Sequence, residues 1–441
     1  MKKQSVAFLL AMAGAGGMLF DFGGTIIGPA IPYFESLKLF TTAQMSHLSS
    51  AVVLSAAIAC LVAGWLCEKI GRKKMMLLSA AIAGLACFPI CLADGSYWPF
   101  FVGRALQGVA AGFIGVVVPM YLAECLDAKN RGKGGAVFQL FDFVGISLCS
   151  VIGLAVVHLI GSADGEGVSA ATKTLAWKTV FWSSAAPAVL FFVGALGLNE
   201  SPVWLASRNA DLKAGSEPAS DPIAPPQNDS LLQKKYVLPF VISLAVLICN
   251  QAIGFNAVQY FSIHMFKATG LSHATASLAN LLVWLVPLPV TAFACALVDR
   301  MGRKPILEIG TAGMTIAFVA TAGVFYATER GWTGGGWFAV AAVGLFVASF
   351  SLGPGVVVWL ALSELMPNRI RANGMSICLF VNQLVAFAIA DAFLQWQEKC
   401  GYAVVFLSLA GFAFAYFLVA WLLLPETKGK TLEEIEAYFA R

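Results

Sequence analysis

Stretches of about 20 consecutive apolar residues, the length a helix needs to cross a bilayer, recur along almost the whole chain. Inside a bilayer every backbone N–H and C=O must be bonded, and continuously apolar stretches favour helices over the alternating strands of a barrel. The residues are 59% hydrophobic and 12% charged, with a mean hydropathy of +0.80, whereas soluble domains are about 25% charged. We therefore predict an all-α membrane protein with twelve transmembrane helices. They are placed near residues 6–31, 47–67, 75–93, 98–122, 134–160, 176–198, 237–262, 276–298, 305–327, 337–362, 372–396 and 402–424.

Short charged patterns at the ends of these stretches occur twice in the chain. Glu124 precedes Arg131 by seven residues, and Glu364 precedes Arg371 by the same spacing. A duplicated half in an apolar chain is typical of a transporter built from two related bundles. We predict two pseudo-symmetric six-helix bundles, residues 1–198 and 236–424, joined by a linker at 199–235 and followed by a tail at 425–441. Two further patterns repeat in the same order: Gly71-Arg72-Lys73 with Gly302-Arg303-Lys304, and Glu200-Ser201-Pro202 with Pro425-Glu426-Thr427.

The distribution of Lys and Arg predicts the orientation. With both termini in the cytoplasm, 21 of the 28 basic residues lie on the cytoplasmic side, six lie outside and Arg104 lies within the membrane. Because cytoplasmic loops are enriched in Lys and Arg, we predict a multi-pass protein of the inner (cytoplasmic) cell membrane with both termini cytoplasmic. The net charge of +4 is then a consequence of topology, and lipid rather than nucleic acid is the expected surrounding partner.

The ten cysteines lie in or beside the predicted helices without the clustering of metal ligands. Buried cysteines of this kind are more often small packing residues than disulfide or metal partners. The sequence also lacks a nucleophile–base pair or a loop long enough for a soluble catalytic domain. We therefore predict a protein that is not an enzyme and needs no cofactor.

Five motifs follow one another in fixed order along the chain, on predicted helices and at their ends. They are Arg104-x-x-x-Gly108 with Pro119-x-Tyr121-x-x-Glu124; Glu200-Ser201-Pro202-x-Trp204-Leu205; Gln251-x-x-Gly254-x-Asn256-x-x-x-Tyr260; Gly353-Pro354 with Trp359, Ser363-Glu364 and Pro367; and Pro425-Glu426-Thr427-Lys428-Gly429. In these motifs the chain resembles the sugar porter family of the major facilitator superfamily over nearly its whole length. The resemblance implies the major facilitator fold, a monomer, and transport of a hexose or pentose by alternating access.

Polar residues at mid-helix depth are the candidate substrate site, because they are costly in a membrane unless they are used. Amides offer both donors and acceptors to sugar hydroxyls, and a break near Gly254 would bring Gln251 and Asn256 together. The alternative is that these groups form interhelical hydrogen bonds. The resemblance implies sugar contact for Gln139, Gln251, Asn256 and Trp359. Asn250, which stands where the family usually has a second Gln, and Asn382 are further candidates. The chain departs from the family at two neighbouring positions, where Gln383 replaces an aromatic residue and Ala386 replaces an Asn.

The first helix departs from the family pattern, and this bears on proton coupling. Relatives carry Leu-Phe-Gly-Tyr-Asp there, with the Asp paired to the helix 4 arginine, whereas this chain has Leu19-Phe20-Asp21-Phe22-Gly23. A buried Arg104 cannot readily lose its charge, so a carboxylate is expected to compensate it. Asp21 and Asp142 are the candidates for proton coupling, and Asp391 is a weaker one. The alternative is a permanent ion pair in an uncoupled facilitator.

The charged residues at cytoplasmic helix ends form a candidate gate. Exposed ion pairs contribute only about 0–1 kcal/mol each, which suits a latch between two states. The resemblance implies that such networks hold the halves together while the cavity faces outward. The alternative is that the charges only mark topology. The candidate gate residues are Arg72, Glu124, Arg131, Glu200, Arg303, Glu364, Arg371 and Glu426.

Three other readings stay open beside proton-coupled sugar symport. The first is an uncoupled sugar facilitator, and the second is a transporter of inositol, another polyol or an organic acid. The third is a membrane sensor of sugar; such sensors usually carry a long cytoplasmic extension, and the short predicted tail at 425–441 disfavours this reading. The four histidines are predicted to lie at outer helix ends or in loops: His47, His158, His264 and His273. They either contribute to a pH response or have no role in transport.

Overall fold

The computed structural model describes residues 4–213, 233–367, 370–428, 430, 434–435 and 438–439. The regular elements in these ranges are helices. Ser5, Thr41 and Ser169 begin three of them, each accepting a hydrogen bond from a backbone N–H of the first turn. The first half of the chain contains α1 (Val6–Thr25), a 3₁₀ turn (Gly28–Ala30), α2 (Ile31–Leu37), α3 (Thr42–Ile70), α4 (Arg72–Leu85), α5 (Cys87–Leu92), α6 (Tyr97–Cys125), α7 (Ala128–Leu159), α8 (Ala170–Trp182) and α9 (Ala185–Leu196).

A single helix, α10 (Pro202–Lys213), occupies the start of the predicted linker. The remaining linker residues, 214–232, lie outside the described residues, as does most of the predicted tail. The second half contains α11 (Lys234–Ala252), α12 (Phe255–Ala268), α13 (His273–Leu285), α14 (Pro287–Met301), α15 (Arg303–Glu329), α16 (Gly336–Leu352), α17 (Pro354–Leu365) and α18 (Arg371–Leu423).

Eleven helical segments of the described chain are long and apolar enough to cross a membrane. The last of them contains two crossings, because Gly401 interrupts the helical backbone of α18 with φ 80° and ψ 160°. Several crossings combine two helices of the numbering above, such as α4 with α5 and α16 with α17. The prediction of twelve transmembrane helices is therefore confirmed.

Two equivalent helices, one in each half, are broken near the middle of the membrane. α1 ends at Thr25, and Pro29 and Pro32 cannot donate the backbone hydrogen bonds that would continue it. In the second half α11 ends at Ala252, and α12 begins after Gly254, which has a left-handed backbone (φ 74°). The predicted break near Gly254 is confirmed. These interruptions expose backbone carbonyls at mid-depth, where the candidate site lies.

Close helix packing fixes the elements around this site. A Cβ on Gly17 of α1 would lie 2.1 Å from the carbonyl oxygen of Phe138 in α7. A Cβ on Gly108 of α6 would lie 2.2 Å from the carbonyl oxygen of Val52 in α3. Only glycine permits such approaches, as in other small-residue helix contacts in membranes. α1 is thus held against α7, and α7 in turn packs against α13 and α14 of the second half.

Candidate functional site

Arg104 is fully buried in α6 and donates four hydrogen bonds. Nε donates to the carbonyl of Leu48 at 3.0 Å, and Nη2 donates to the carbonyl of Gly24 at 3.0 Å. Nη1 donates to the carbonyl of Gly23 at 2.5 Å and to Oε1 of Gln107 at 2.7 Å. The guanidinium therefore ties α6 to α3 and to the last turn of α1.

The expectation that a carboxylate compensates Arg104 is not met among the described residues, since its acceptors are three carbonyls and an amide. The reason lies in the early end of α1. Carbonyls of a last helical turn lack intrahelical partners and carry partial negative charge. Gly23 and Gly24 leave these carbonyls open to the guanidinium, so that Arg104 caps the helix. Asp21 and Asp142 are left free for other partners.

Asp21 lies one turn before this cap, on the side of α1 that faces the second half. Its Oδ2 accepts a hydrogen bond from Nε2 of Gln259 in α12 at 2.8 Å. The same Nε2 lies 2.6 Å from Oγ1 of Thr25, to which it also donates. Gln259 was not among the residues predicted from the sequence. It precedes Tyr260 in an apolar segment, and a polar residue at such a position indicates a functional candidate.

Asp142 lies on α7 at the contact with α1, since a Cβ built on Gly17 of α1 would lie 3.2 Å from the backbone N of Asp142. Its Oδ2 accepts a hydrogen bond from Nε2 of Gln139 at 3.2 Å. Its other oxygen, Oδ1, is buried without a hydrogen-bond partner among the described residues. The two predicted residues Gln139 and Asp142 are thus brought together, with one acceptor left for a ligand or a proton.

The remaining candidate sugar contacts lie on α11, α12 and α18. Asn250 and Asn382 are buried, and in the part of the chain that the structure describes the Oδ1 atom of each has no hydrogen-bond partner. Nδ2 of Asn382 donates to Oε1 of Gln383 at 3.2 Å. Gln251 and Asn256 are half-buried on opposite sides of the Gly254 break. The side chain of Trp359 lies outside the described residues.

The predicted gate charges lie at the end of the molecule where α1 begins and α18 ends, called the terminal end here. Arg72 donates from Nη2 to Oε1 of Glu124 at 2.8 Å and to Oε1 of Glu68 at 2.7 Å. In the second half Nη2 of Arg303 donates to Oε1 of Glu364 at 3.0 Å. Each of these ion pairs joins residues of the same half. The sequence spacing had matched Glu124 with Arg131 and Glu364 with Arg371, whereas these pairs join Glu124 to Arg72 and Glu364 to Arg303. The side chains of Arg131 and Arg371 lie outside the described residues.

The opposite end, called the distal end here, carries charged contacts between the two halves. Nζ of Lys267 lies 2.9 Å from Oδ1 of Asp164. Burial disfavours the charge of Asp164, but the hydrogen bond and charge of Lys267 and the nearby His273 outweigh it and hold the pKa of this carboxyl below its ordinary value. The distal end is thus joined by at least one charged pair between halves.

Histidines supply the other distal contacts. Nε2 of His264 lies 2.8 Å from Oε1 of Glu35, and Nδ1 of His47 lies 2.7 Å from Oδ1 of Asp391. Asp391 also accepts a hydrogen bond from Oγ of Ser50 at 2.7 Å. The sequence placed these histidines at outer helix ends but did not identify their acidic partners, which lie in the other half. Contacts between halves therefore run from mid-depth to the distal end.

The chain matches known proteins over nearly its whole length. The family model described as "Sugar (and other) transporter" matches residues 24–439. The chain is 29% identical to the glucose transport protein of Synechocystis sp. (strain ATCC 27184 / PCC 6803 / Kazusa), covering 98% of this chain and 97% of that protein. It is 26% identical to the arabinose-proton symporter of Bacillus subtilis (strain 168), covering 99% and 96%. A crystal structure of a D-xylose-proton symporter has the same fold, with a TM-score of 0.80 at 24% identity, covering 97% of this chain and 100% of that one.

Proposed function

The chain belongs to the sugar (and other) transporter family, and from this premise we propose that it carries a monosaccharide across the cytoplasmic membrane by alternating access, coupled to protons. It is a membrane transporter and not an enzyme. Relatives named for glucose and arabinose, and a D-xylose transporter of Levilactobacillus brevis that is 27% identical over 99% of this chain, support a hexose or pentose as substrate. We infer a monomer in lipid, with the termini in the cytoplasm.

One observation supports a sugar as the substrate. Buried amide and carboxylate oxygens without partners among the described residues lie on α7, α11 and α18, of which α7 and α18 pack against the opposite half. An unpaired buried polar atom costs about 1–3 kcal/mol, so such atoms indicate a ligand that supplies donors. Sugar hydroxyls supply them, and the same amides offer N–H donors in return. The atoms are Oδ1 of Asp142, Oδ1 of Asn250 and Oδ1 of Asn382.

The distribution of contacts supports alternating access. At mid-depth Nδ2 of Asn280 donates to Oγ of Ser150 across the halves at 3.0 Å, and the distal ion pairs lie beyond it. At the terminal end, the pairs Arg72–Glu124 and Arg303–Glu364 each join residues of the same half. We interpret this as a conformation closed at the distal, external end. The terminal-end networks would then move with each half as the transporter rocks.

Proton coupling is proposed because two carboxylates lie at mid-depth without a basic partner among the described residues. Asp21 is bonded to an amide, and Asp142 retains an unpaired oxygen. Carboxylates without a permanent countercharge are able to take up and release protons during a transport cycle. The self-sufficient cap around Arg104 favours a second candidate, an uncoupled facilitator, since its charge is stabilised whether or not a carboxylate is ionised.

The experiment is sugar-induced proton movement by the purified protein in liposomes. D-glucose, D-xylose, L-arabinose and myo-inositol are added in turn, and external pH and labelled sugar are recorded for the wild type, Asp21→Asn and Asp142→Asn. We expect external alkalinisation with one of the three monosaccharides, lost in at least one variant that still exchanges labelled sugar. Saturable exchange without proton movement would establish the facilitator instead. Binding of myo-inositol alone would contradict the proposed substrate class.

A further inference from the structure

Gln259 is a buried amide that joins the two halves at mid-depth. Its side chain is 2% exposed, in a helix whose neighbouring residues are mainly apolar or aromatic. Nε2 donates to Oδ2 of Asp21 at 2.8 Å and to Oγ1 of Thr25 at 2.6 Å. Oε1 has no hydrogen-bond partner in the described ranges. Both donated bonds go to α1, in the first half, whereas Gln259 itself belongs to α12, in the second half.

Other titratable groups surround Asp21 on three helices. Tyr260 on α12 lies near Asp21, on the other side of Gly24. A Cβ built on Gly24 would lie 3.2 Å from the Tyr260 hydroxyl and 3.4 Å from Oδ1 of Asp21. Asp142 and Cys149 interact with Asp21 electrostatically from α7. Arg104 lies on α6 with its donors directed to carbonyls of α1. Gln259 is thus a second-half group that donates directly to the Asp21 carboxylate.

We propose that Gln259 is the positioning residue that links closure of the distal end to the charge of Asp21, and this deepens the proposed function, on which it rests. A hydrogen bond from an amide N–H to a carboxylate is stronger than one to a neutral carboxyl group. The contact therefore holds α12 against α1 most tightly when Asp21 is ionised. When the halves separate at the distal end, α12 withdraws this donor.

This linkage has a direction. With the distal end open, Asp21 lacks the Gln259 donor and takes up a proton from the external side. Closure brings the N–H to Oδ2, which favours the ionised carboxylate, and the proton leaves to water on the terminal side. Gln259 never holds the proton. By reciprocity, raising the pH through the titration of Asp21 favours the distal-closed state.

The test measures distal closure directly, without relying on transport. Fluorophores are attached through unnatural amino acids at two exposed positions, Glu166 in a distal loop of the first half and Lys399 in α18 of the second half, two residues before the Gly401 interruption. The closed fraction is then measured by energy transfer. The variants are Gln259→Leu, Asp21→Asn and the double variant, each at several pH values. We expect Gln259→Leu to lower the closed-to-open ratio about tenfold, as expected for a hydrogen bond to a charged group, and to flatten its pH dependence. In the Asp21→Asn background the same change should have an effect at least threefold smaller.

Asn280→Leu is the matched control. Asn280 is also a buried amide that joins the halves, but it bonds to hydroxyl groups, accepting from Ser262 at 2.5 Å and donating to Ser150 at 3.0 Å. Its effect on closure should be the same with and without Asp21→Asn. If Gln259→Leu also acts equally in both backgrounds, or has no effect on closure, the proposal is overturned.

Transport separates this proposal from the proposed function. In liposomes we expect Gln259→Leu to retain exchange of labelled sugar at equal pH and to lose most proton-driven accumulation. If the wild type moves no protons, proton-coupled transport is wrong, and the closure measurements still decide whether Gln259 senses the Asp21 charge. If the wild type is coupled and Gln259→Leu is equally coupled, the linkage through Gln259 is wrong while the proposed function stands.

Discussion

Glu200 accepts a hydrogen bond at 2.9 Å from the backbone N–H of Arg72, the first residue of α4. The second half repeats the arrangement, with Glu426 accepting from the N–H of Arg303 at 3.1 Å, at the start of α15. Each carboxylate bonds a backbone donor that has no intrahelical partner and lies at the positive end of the helix dipole. The duplicated sequence patterns therefore encode one structural unit, a helix start capped by a distant glutamate.

Replacing the glycine at this unit should destabilise the fold. Gly71 has φ +93°, and a Cβ there would lie 2.4 Å from Oε2 of Glu200. Gly71→Ala should therefore cost about 1–3 kcal/mol through backbone strain and displacement of the cap. The measurement is the melting temperature of the purified protein in detergent. Gly64→Ala is the control, because a Cβ at Gly64, within α3, meets nothing within 4 Å; equal melting temperatures for the two variants would contradict the cap.

The sequence predicted this architecture well, because its signals are local or repeated. Apolar lengths predicted twelve crossings, and Gly254 predicted the break in the seventh. The partners of Arg104 and Asp21 were not predictable in the same way. Arg104 bonds to carbonyls, which no side-chain pattern reveals. Asp21 bonds to Gln259, 238 residues away, and such a pairing depends on how the two halves are placed against each other.

Arg104 should not be replaceable by lysine. Its guanidinium donates in several directions at once, to Leu48, Gly23 and Gly24, whereas an ammonium group is a point charge on a flexible stem. Arg104→Lys should leave at least one carbonyl contact unmade and cost about 1.5–3 kcal/mol for each lost charged hydrogen bond. The measurement is again the melting temperature in detergent, with the exposed Arg300→Lys as control. An unchanged melting temperature in Arg104→Lys would show that the cap on α1 is dispensable.

The pair of Asp164 and Lys267 should favour distal closure only while Asp164 is ionised. The pKa of Asp164 is held below its ordinary value of 3.8 in the closed form, so closure gains from the pair above that value and loses the gain as pH falls through the depressed pKa. The side chains are 43% and 20% exposed, and the contribution is therefore about 0–1 kcal/mol, weaker in high salt. Asp164→Asn should lower the closed fraction up to about fivefold at neutral pH, measured by energy transfer between distal labels.

Asp94→Asn is the control for this prediction. Asp94 pairs with Lys178 at 2.5 Å, also near the distal end, but both residues belong to the first half. Its removal should leave the closed fraction unchanged. If both variants reduce closure equally, general surface charge and not the pair between halves controls the distal end.

Gln139 should contribute to sugar affinity through the amide that now bonds to Asp142 at 3.2 Å. Sugar hydroxyls would compete for this amide and for the unpaired Oδ1 of Asp142. Gln139→Ala should therefore raise the KM for the transported sugar about tenfold, the equivalent of one hydrogen bond to a polar ligand, measured as labelled uptake into liposomes. Ser79→Ala is the control, because the Ser79 hydroxyl is buried in α4 and donates to the carbonyl of Met75 in the same helix. A KM unchanged in Gln139→Ala, with proton movement altered, would assign Gln139 to positioning the Asp142 carboxylate instead of binding sugar.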